Sequence, residues 1–217
     1  EDIAHPFNKN MYELGDFCYI SYGLRANSNE KTAKGLFRKK DLISNIKDDI
    51  HSRKYIEAKD ISRYAIDNVR YLEYGTKRSP SQLVRPTFPE WYEVPKIFVK
   101  LIGSLAATMD VNNDFLHDCS IVGMALWQDL KNIENKSISS SISRYYRLKR
   151  YEMEELSKKV NLYYLLAIIN SAYARYIITH KKGNSLSTYP EYIRHFPIPI
   201  ATLEDMETLA SFAKKEL

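Results

Sequence analysis

The chain has 217 residues, of which 44% are hydrophobic and 12% aromatic, and this composition excludes a disordered or fibrous protein. Its 2 cysteines and 5 histidines lack zinc-ligand spacing, which excludes a disulfide framework and a zinc-binding module. The cysteine usage favours a reducing compartment, so we expect a cytoplasmic protein. No apolar stretch approaches the roughly 18 residues that span a membrane, so we expect no membrane partner. The sequence begins at Glu1 without a signal peptide, and we interpret it as a fragment of a larger protein.

The first half of the sequence predicts short strands joined by polar loops. Residues 17–22 are rich in β-forming side chains and predict a strand, whereas residues 23–35 are polar, lack periodicity and predict a loop. Asp41 can cap a short helix. The apolar face of that helix would consist of Leu42, Ile43, Ile46 and Ile50.

The middle of the sequence alternates irregular and extended segments. Residues 79–95 are proline-rich and predict an irregular connection, and residues 96–101 predict a strand. The segments 106–110 and 115–125 predict a β-hairpin around an Asn112–Asn113 turn. The serine-rich residues 137–143 predict a loop.

The last third of the sequence predicts helices. Met153, Leu156 and Val160 stand at helical spacing, and Asn161 can cap a second helix that runs to about residue 178. Thr202, followed by an aspartate three residues later, resembles a capping box at the start of a last helix, 203–217. Strands followed by helices predict an α+β fold: a twisted, mostly antiparallel sheet with packed helices and a C-terminal exit helix.

Positive charge is concentrated in two stretches that contain no acidic residue, within a formal net charge of +5. Lysine and arginine in such stretches can neutralise phosphates, arginine can pair bidentately with guanine, and Tyr145 can stack. The same stretches are also typical of charged loops that face water. The first stretch contains Lys31, Lys34, Arg38, Lys39 and Lys40, and the second contains Lys136, Arg144, Arg147, Lys149 and Arg150.

Several short motifs, spread in order along nearly the whole chain, resemble one family of DNA-modifying enzymes. They are KDISRY at 59–64, VPKI at 94–97, LLAIINS at 165–171 and FPIP at 196–199. Together they resemble the C-terminal specificity domain of TaqI-like adenine methyltransferases and of type IIG restriction–modification enzymes. They are also similar to the recognition halves of type I specificity subunits. In this pattern Asn170 and Ser171 interrupt an apolar helix.

The resemblance implies a domain, residues 1–200, that reads the sequence of duplex DNA, with residues 201–217 beginning a spacer helix. Its partner in the same polypeptide would be an N-terminal adenine methyltransferase domain, where S-adenosylmethionine would bind. The fragment itself would hold no cofactor or metal and no catalytic residue, and it lacks the glycine-rich loop and the Asn-Pro-Pro-aromatic motif of that chemistry.

The family pattern does not specify base contacts, so candidates come from the basic stretches and the end of the long helix. Cations there could equally stabilise the helix C-terminus. The candidate DNA-binding residues are Arg25, Lys34, Arg38, Lys39, Lys136, Arg144, Tyr145, Arg147, Lys149, Arg150, Lys181 and Lys182.

Two alternatives from other functional classes stay open. Asp49, Glu57 and Lys59 have the residue types of a metal-dependent nuclease, in which two carboxylates hold Mg²⁺ and a lysine assists water attack. A module that docks another protein of a DNA-modification complex would instead expose a large apolar patch on one helix.

Overall fold

A computed structural model describes residues 11–25, 39–77, 79, 88–145, 147–183, 189–199 and 201–217. In this part the chain forms an α+β fold with mostly antiparallel sheets, packed helices and a C-terminal helix, which confirms the predicted fold class. The strands are β1 (Tyr12–Glu13), β2 (Cys18–Tyr22), β3 (Ile43–Ser44), β4 (His51–Ile56), β5 (Ile61–Ser62), β6 (Ala65–Ile66), β7 (Arg70–Glu73), β8 (Lys96–Lys100), β9 (Ala107–Asp110), β10 (Phe115–His117), β11 (Ile121–Leu126) and β12 (Pro197–Ile198). The α-helices are α1 (Leu14–Phe17), α2 (Lys136–Tyr145), α3 (Arg150–Ser157), α4 (Leu162–Ile169), α5 (Ala172–Lys182), α6 (Pro190–Arg194) and α7 (Leu203–Glu216).

The first sheet has the strand order β2-β11-β8-β9, and every neighbouring pair is antiparallel. Its central strand β11 is buried along its whole length, and alternate residues serve the two faces. Val122, Met124 and Leu126 join the core formed with α4 and α5, whereas Ala125 packs on the aromatic side with Trp127. The sheet therefore separates two hydrophobic cores.

A side-chain clamp fastens the helices to the free edge of this sheet. The Asn170 amide donates to the backbone carbonyl of Ala107 at 2.9 Å and accepts from its N–H at 3.0 Å, so it substitutes for a neighbouring strand. Ser171 then caps α5 by accepting from the Ala174 N–H at 3.1 Å. The helix predicted to run from Asn161 to about residue 178 is therefore two helices, interrupted at the Asn-Ser pair.

The second sheet has the order β10-β4-β7-β3, in which β10 runs parallel to β4. The predicted hairpin is therefore wrong, because β9 belongs to the first sheet and β10 to the second. The Asp110 carboxylate accepts hydrogen bonds from the backbone N–H groups of Asp114 and Phe115, at 3.1 and 3.0 Å. With Asn113 at a φ of 61°, these bonds turn the chain out of the first sheet.

The helix predicted after Asp41 is also wrong. A 3-10 turn ends at the buried Leu42, and the chain continues into β3, which pairs with β7. Asp48 accepts from the backbone N–H groups of Ile50 and His51, at 2.9 and 2.6 Å, and such turns compete with helix formation. Ile50 is consequently 53% exposed and does not form a helix face.

The C-terminal helix α7 starts at the predicted capping box and packs against α4. Thr202 accepts a hydrogen bond from the Asp205 N–H at 3.1 Å, and Ala210 and Ala213 are buried in the core that contains α4. Small residues at these positions let the two helices approach closely. In the part of the chain that is described, no helix is long and apolar enough to cross a membrane.

Candidate nucleic-acid interface

The serine-rich stretch expected to be a loop forms helix α2, so that prediction is wrong. Ile138, Ser141 and Tyr145 are buried and recur at helical spacing. Burial of this face outweighs the modest helix propensity of serine. The Asn135 side chain accepts from the Ser137 backbone N–H at 2.8 Å and satisfies a donor at the helix N-terminus.

The opposite face of α2 is exposed, polar and cationic. No acidic residue occurs between residues 135 and 151. Neither Lys136 nor Arg144 has a carboxylate partner among the described residues, and Arg144 donates from Nε to the backbone carbonyl of Ser140 at 3.2 Å. This surface, the α2 face, consists of Lys136, Ser139, Ser140, Ser143 and Arg144.

Tyr145, a candidate for stacking on DNA, anchors α2 to the core. It is 3% exposed, and its hydroxyl donates to Asp16 Oδ1 at 2.8 Å and lies 3.2 Å from Glu13 Oε2. Burial and the charge of Asp16 raise the pKa of this hydroxyl well above its ordinary value. A Cβ at Gly15 would lie 2.7 Å from the Tyr145 ring and 2.6 Å from Arg194, so this packing requires glycine. Tyr145 therefore fixes the position of the α2 face and does not stack on a ligand.

Arg147 and Lys149 follow α2 in the chain and differ in their contacts. The Arg147 guanidinium lies 3.0 Å from Glu13 and 3.4 Å from Asp16, so its charge is paired within the protein. Lys149 starts α3, and its backbone N–H donates to the Glu152 carboxylate at 2.7 Å. Lys149 is exposed, whereas Arg147 forms ion pairs with two carboxylates.

Arg150 is a structural residue. Its guanidinium donates to the backbone carbonyls of Leu130 and Ile133, at 2.7 and 2.8 Å, and pairs with Glu154 at 2.8 Å. It thereby satisfies carbonyls where the chain leaves the 3-10 turn Trp127–Leu130. The basic stretch 136–150 thus divides into cations that hold the fold together and cations that face solvent.

A cleft of about 570 Å³ opens beside the α2 face, between α2, β2 and α6. Two predicted candidates, Lys136 and Arg144, line it. The opposite wall carries residues that the sequence analysis did not select as DNA-binding candidates, Tyr189, Glu191 and Arg194. The structure therefore adds a second wall of polar side chains to the basic face of α2.

Arg194 is held rigidly in the wall of this cleft. Its side chain is 6% exposed, it donates from Nη2 to the backbone carbonyl of Ile20 at 3.1 Å, and it pairs with Glu191. Burial lowers the pKa of Arg194, Glu191 opposes that shift, and the positive charge of Arg144 lowers the pKa further. Arg194 and Arg144 thus line the same cleft. The sequence signal that could have pointed to Arg194 is its spacing from Glu191. Residues three positions apart lie on the same side of a helix, and Pro190 is typical of a helix start.

The first basic stretch places Lys39 in an internal ion network. Lys39 Nζ lies 2.5 Å from Glu57 and 2.6 Å from Asp118, and the Tyr55 hydroxyl donates to the same Asp118 carboxylate at 2.8 Å. Burial by itself lowers the pKa of Lys39, but the hydrogen bonds and charges of the two carboxylates outweigh it and raise the pKa. Lys39 therefore connects the ends of β4 and β10, and its charge is neutralised.

Among the other candidate residues before β3, Arg25 lies within the part of the chain that the structure describes. Arg25 is half-buried just after β2, beside the bridge between Leu24 and Asp118, and has contacts of its own. Lys34 and Arg38 lie outside the described residues.

Among the contacts of the described residues, none joins a lysine side chain at the end of α5 to a carbonyl group of that helix. Lys181 is exposed, and its Nζ donates to the backbone carbonyl of His195 at 2.5 Å, which joins α5 to the end of α6. Burial lowers the pKa of Lys181, partly offset by Glu13. Lys182 is the last residue of α5, and its side chain lies outside the described part. Gly183 ends the helix by donating its N–H to the carbonyl of Thr179 at 3.1 Å.

The residues of the nuclease alternative are arranged as an ion cluster. The Glu57 carboxylate contacts Lys39, Lys59 at 3.3 Å and Arg70 at 2.9 Å, whereas Asp49 is exposed. Hydrogen bonds and charges from Lys39 and Arg70 outweigh burial and lower the pKa of Glu57. Within the described ranges, no group of three side chains has the arrangement of metal ligands.

No protein-family model matches the chain, and no curated protein matches it.

Proposed function

We propose that this chain is the target-recognition domain of a DNA restriction–modification enzyme and reads duplex DNA through the α2 face. One observation carries the proposal: two cations without carboxylate partners in the described structure stand on an exposed, serine-covered helix face whose other side is fixed in the core. The motif resemblance to recognition domains of such enzymes supports the same function.

The dimensions of α2 suit the major groove. Ten helical residues extend over about 15 Å, which corresponds to roughly four base pairs of B-DNA at about 3.4 Å each. The major groove is about 12 Å wide and admits one α-helix. Short serine side chains along the α2 face let the helix backbone approach the base edges, where longer side chains would hold it away.

The side chains of the α2 face would have different roles in recognition. Lys136 is a flexible point charge and would contact a phosphate, which positions the domain. Arg144 can donate two parallel hydrogen bonds either to a phosphate or to O6 and N7 of guanine, and the serine hydroxyls can donate or accept at base edges. The Nε bond to Ser140 fixes the orientation of the Arg144 guanidinium and leaves its two terminal nitrogens for such a contact.

Chemistry would reside in the partner domain. We propose an N-terminal adenine methyltransferase domain in the same polypeptide, which binds S-adenosylmethionine and receives the target base. Of the described side chains, those of the α2 face fit binding and positioning, not bond making.

The direct test is selection of bound duplexes from a randomised DNA pool by the purified chain, followed by fluorescence anisotropy at two salt concentrations. We expect enrichment of one short motif and an affinity that falls steeply with salt. Binding without enrichment would leave a basic surface that does not read sequence, and no binding at low salt would contradict the proposal.

One observation favours a second candidate, a module that docks another protein. Helix α7 exposes Leu203, Leu209 and Phe212, with exposed fractions of 67%, 36% and 64%. The substitution Phe212→Ser discriminates between the two functions. DNA affinity should not change if the α2 face reads DNA, whereas a docking module would lose binding to its partner domain.

A further inference from the structure

We propose that the cleft beside α2 is a binding site for the phosphate group of a nucleotide, held between Arg144, Arg194 and Lys136. This inference deepens the proposed function, on which it rests for the source of the ligand: the phosphate would belong to a DNA strand or to a free nucleotide. The chemistry of the site is the same in both cases.

The charge of the cleft is the first observation. Lys136, Arg144 and Arg194 supply three positive charges to its lining, and Glu191 supplies one negative charge. The Glu191 carboxylate is engaged by Arg194 and by His195 Nε2, the latter at 2.9 Å. The cleft therefore has an excess of positive charge and favours an anion.

The arrangement of the two arginines is the second observation. Arg144 and Arg194 line the same cleft, and burial together with the charge of Arg144 lowers the pKa of Arg194. Arg194 is fixed by its packing against Gly15 and by its bonds to Ile20 and Glu191, so it contributes its charge from a rigid position. Arg144 keeps its two terminal nitrogens for an anion and can donate two parallel hydrogen bonds to the oxygens of a phosphate.

Neutral donors and an aromatic ring complete the site. Ser137 and Ser140 line the cleft with hydroxyl groups, and Ser137 belongs to the first turn of α2. Tyr189 lies in the opposite wall, is 44% exposed, and its ring is 5.7 Å from that of Tyr192. An exposed ring at this place can stack on a base. The volume of about 570 Å³ lies in the range of roughly 300–1,000 Å³ for small-molecule pockets, so it admits a whole nucleotide.

The test is calorimetric titration of the full chain with three probes at low ionic strength: inorganic phosphate, a deoxynucleoside 5′-monophosphate and the matching deoxynucleoside. We expect the monophosphate to bind most tightly, phosphate to bind more weakly, and the nucleoside not to bind. Arg144→Ala should weaken both phosphate-containing probes by about tenfold, the loss expected for one charge-assisted contact. Tyr189→Ala should weaken the monophosphate and leave inorganic phosphate unchanged.

The matched control is Arg63→Ala, which also removes one exposed arginine. Arg63 lies in the turn between β5 and β6, which contact β9 at the opposite edge of the first sheet from β2. Its substitution should leave all three titrations unchanged. Equal losses in both variants, or no binding of either phosphate-containing probe to the unmodified chain, would overturn the proposal.

Competition with duplex DNA identifies the source of the phosphate. If the monophosphate displaces DNA, the cleft holds a backbone phosphate of the strand next to α2. If monophosphate and DNA bind together, the cleft takes a free nucleotide. If the monophosphate binds and DNA does not, the cleft proposal stands and the proposed DNA-reading function fails.

Discussion

Two basic regions of the molecule look alike in sequence and differ in what surrounds them. Lys39 lies between Glu57 and Asp118, and nearby Arg70 contacts Glu57 and Asp60, so these cations are neutralised by carboxylates within the protein. In helix α2 the buried face holds the helix in place, and Lys136 and Arg144 face solvent and a cleft without a described carboxylate partner. The difference shows that the number of basic residues in a stretch does not predict a binding surface. What matters is whether those residues have carboxylate partners in the folded protein.

The largest expected effect is the loss of stability when a cation is removed from the neutralised region. Arg70→Ala leaves the buried carboxylate of Asp60, which is 2% exposed, without its cation. We expect a loss of about 4 kcal/mol in the free energy of unfolding. Urea denaturation measures it, with Arg144→Ala as the control, for which the loss should stay below about 0.5 kcal/mol because Arg144 is exposed. Similar losses in both variants would break the comparison.

Lys96 is a buried cation whose carboxylate partner lies beyond hydrogen-bond distance. Its ammonium is fully buried, 3.8 Å from Asp110, and burial lowers its pKa from 10.5 to about 8. Below pH 8 both folded and unfolded chains hold this proton, so the full cost of the buried charge applies. Between pH 8 and 10.5 the unfolded chain binds more protons at this group, so stability should rise with pH, by at most about 3 kcal/mol.

The measurement for Lys96 is the free energy of unfolding between pH 7.5 and 10.5, for the unmodified chain and for Lys96→Met. The difference between the two should shift in favour of the unmodified chain as pH rises through this window. A difference independent of pH would show that Lys96 keeps its ordinary titration despite its burial.

Lys39→Met should cost about 1 kcal/mol of stability, a modest value because the lysine side chain is 35% exposed and its ion pairs are partly screened by solvent. Its charge is already neutralised by two carboxylates, so DNA affinity should not change. Thermal unfolding and fluorescence anisotropy of the same preparation measure both quantities. Weaker DNA binding would place the first basic stretch in the interface.

The smallest effect is expected for Arg147→Ala. Arg147 is close to Arg144 in sequence but pairs with Glu13 and Asp16, and its side chain is 40% exposed. We expect a stability loss of about 0.5 kcal/mol and unchanged DNA affinity. If Arg147→Ala weakens DNA binding as much as Arg144→Ala, the α2 face extends past the end of the helix.

Local signals in the sequence were sufficient for several elements. Strand β8 and the helix starts at Asn161 and Thr202 follow from residues within a few positions of each other, and the structure confirms them. Cap hydrogen bonds and a short run of β-forming residues depend on near neighbours, which explains this success.

Distant contacts explain what the sequence did not predict. Helix α2 depends on burying Ile138 and Tyr145, and the partner of the Tyr145 hydroxyl is Asp16 near the start of the chain. Strand β10 pairs in parallel with β4, far away in sequence. Arg147 and Arg150 were predicted to bind DNA because the sequence does not show which groups they contact. In the folded chain Arg147 pairs with a carboxylate and Arg150 donates to a backbone carbonyl.

The most direct test of the central claim compares two double variants in DNA binding over a range of salt concentrations. Lys136→Ala with Arg144→Ala and Lys39→Met with Arg63→Ala each remove two cations, which lowers the net charge from +5 to +3 in both. The account predicts that the first pair lowers affinity by at least about tenfold and reduces the salt slope by about 1 to 2, whereas the second pair changes neither. Equal effects of the two pairs would contradict reading of DNA by α2.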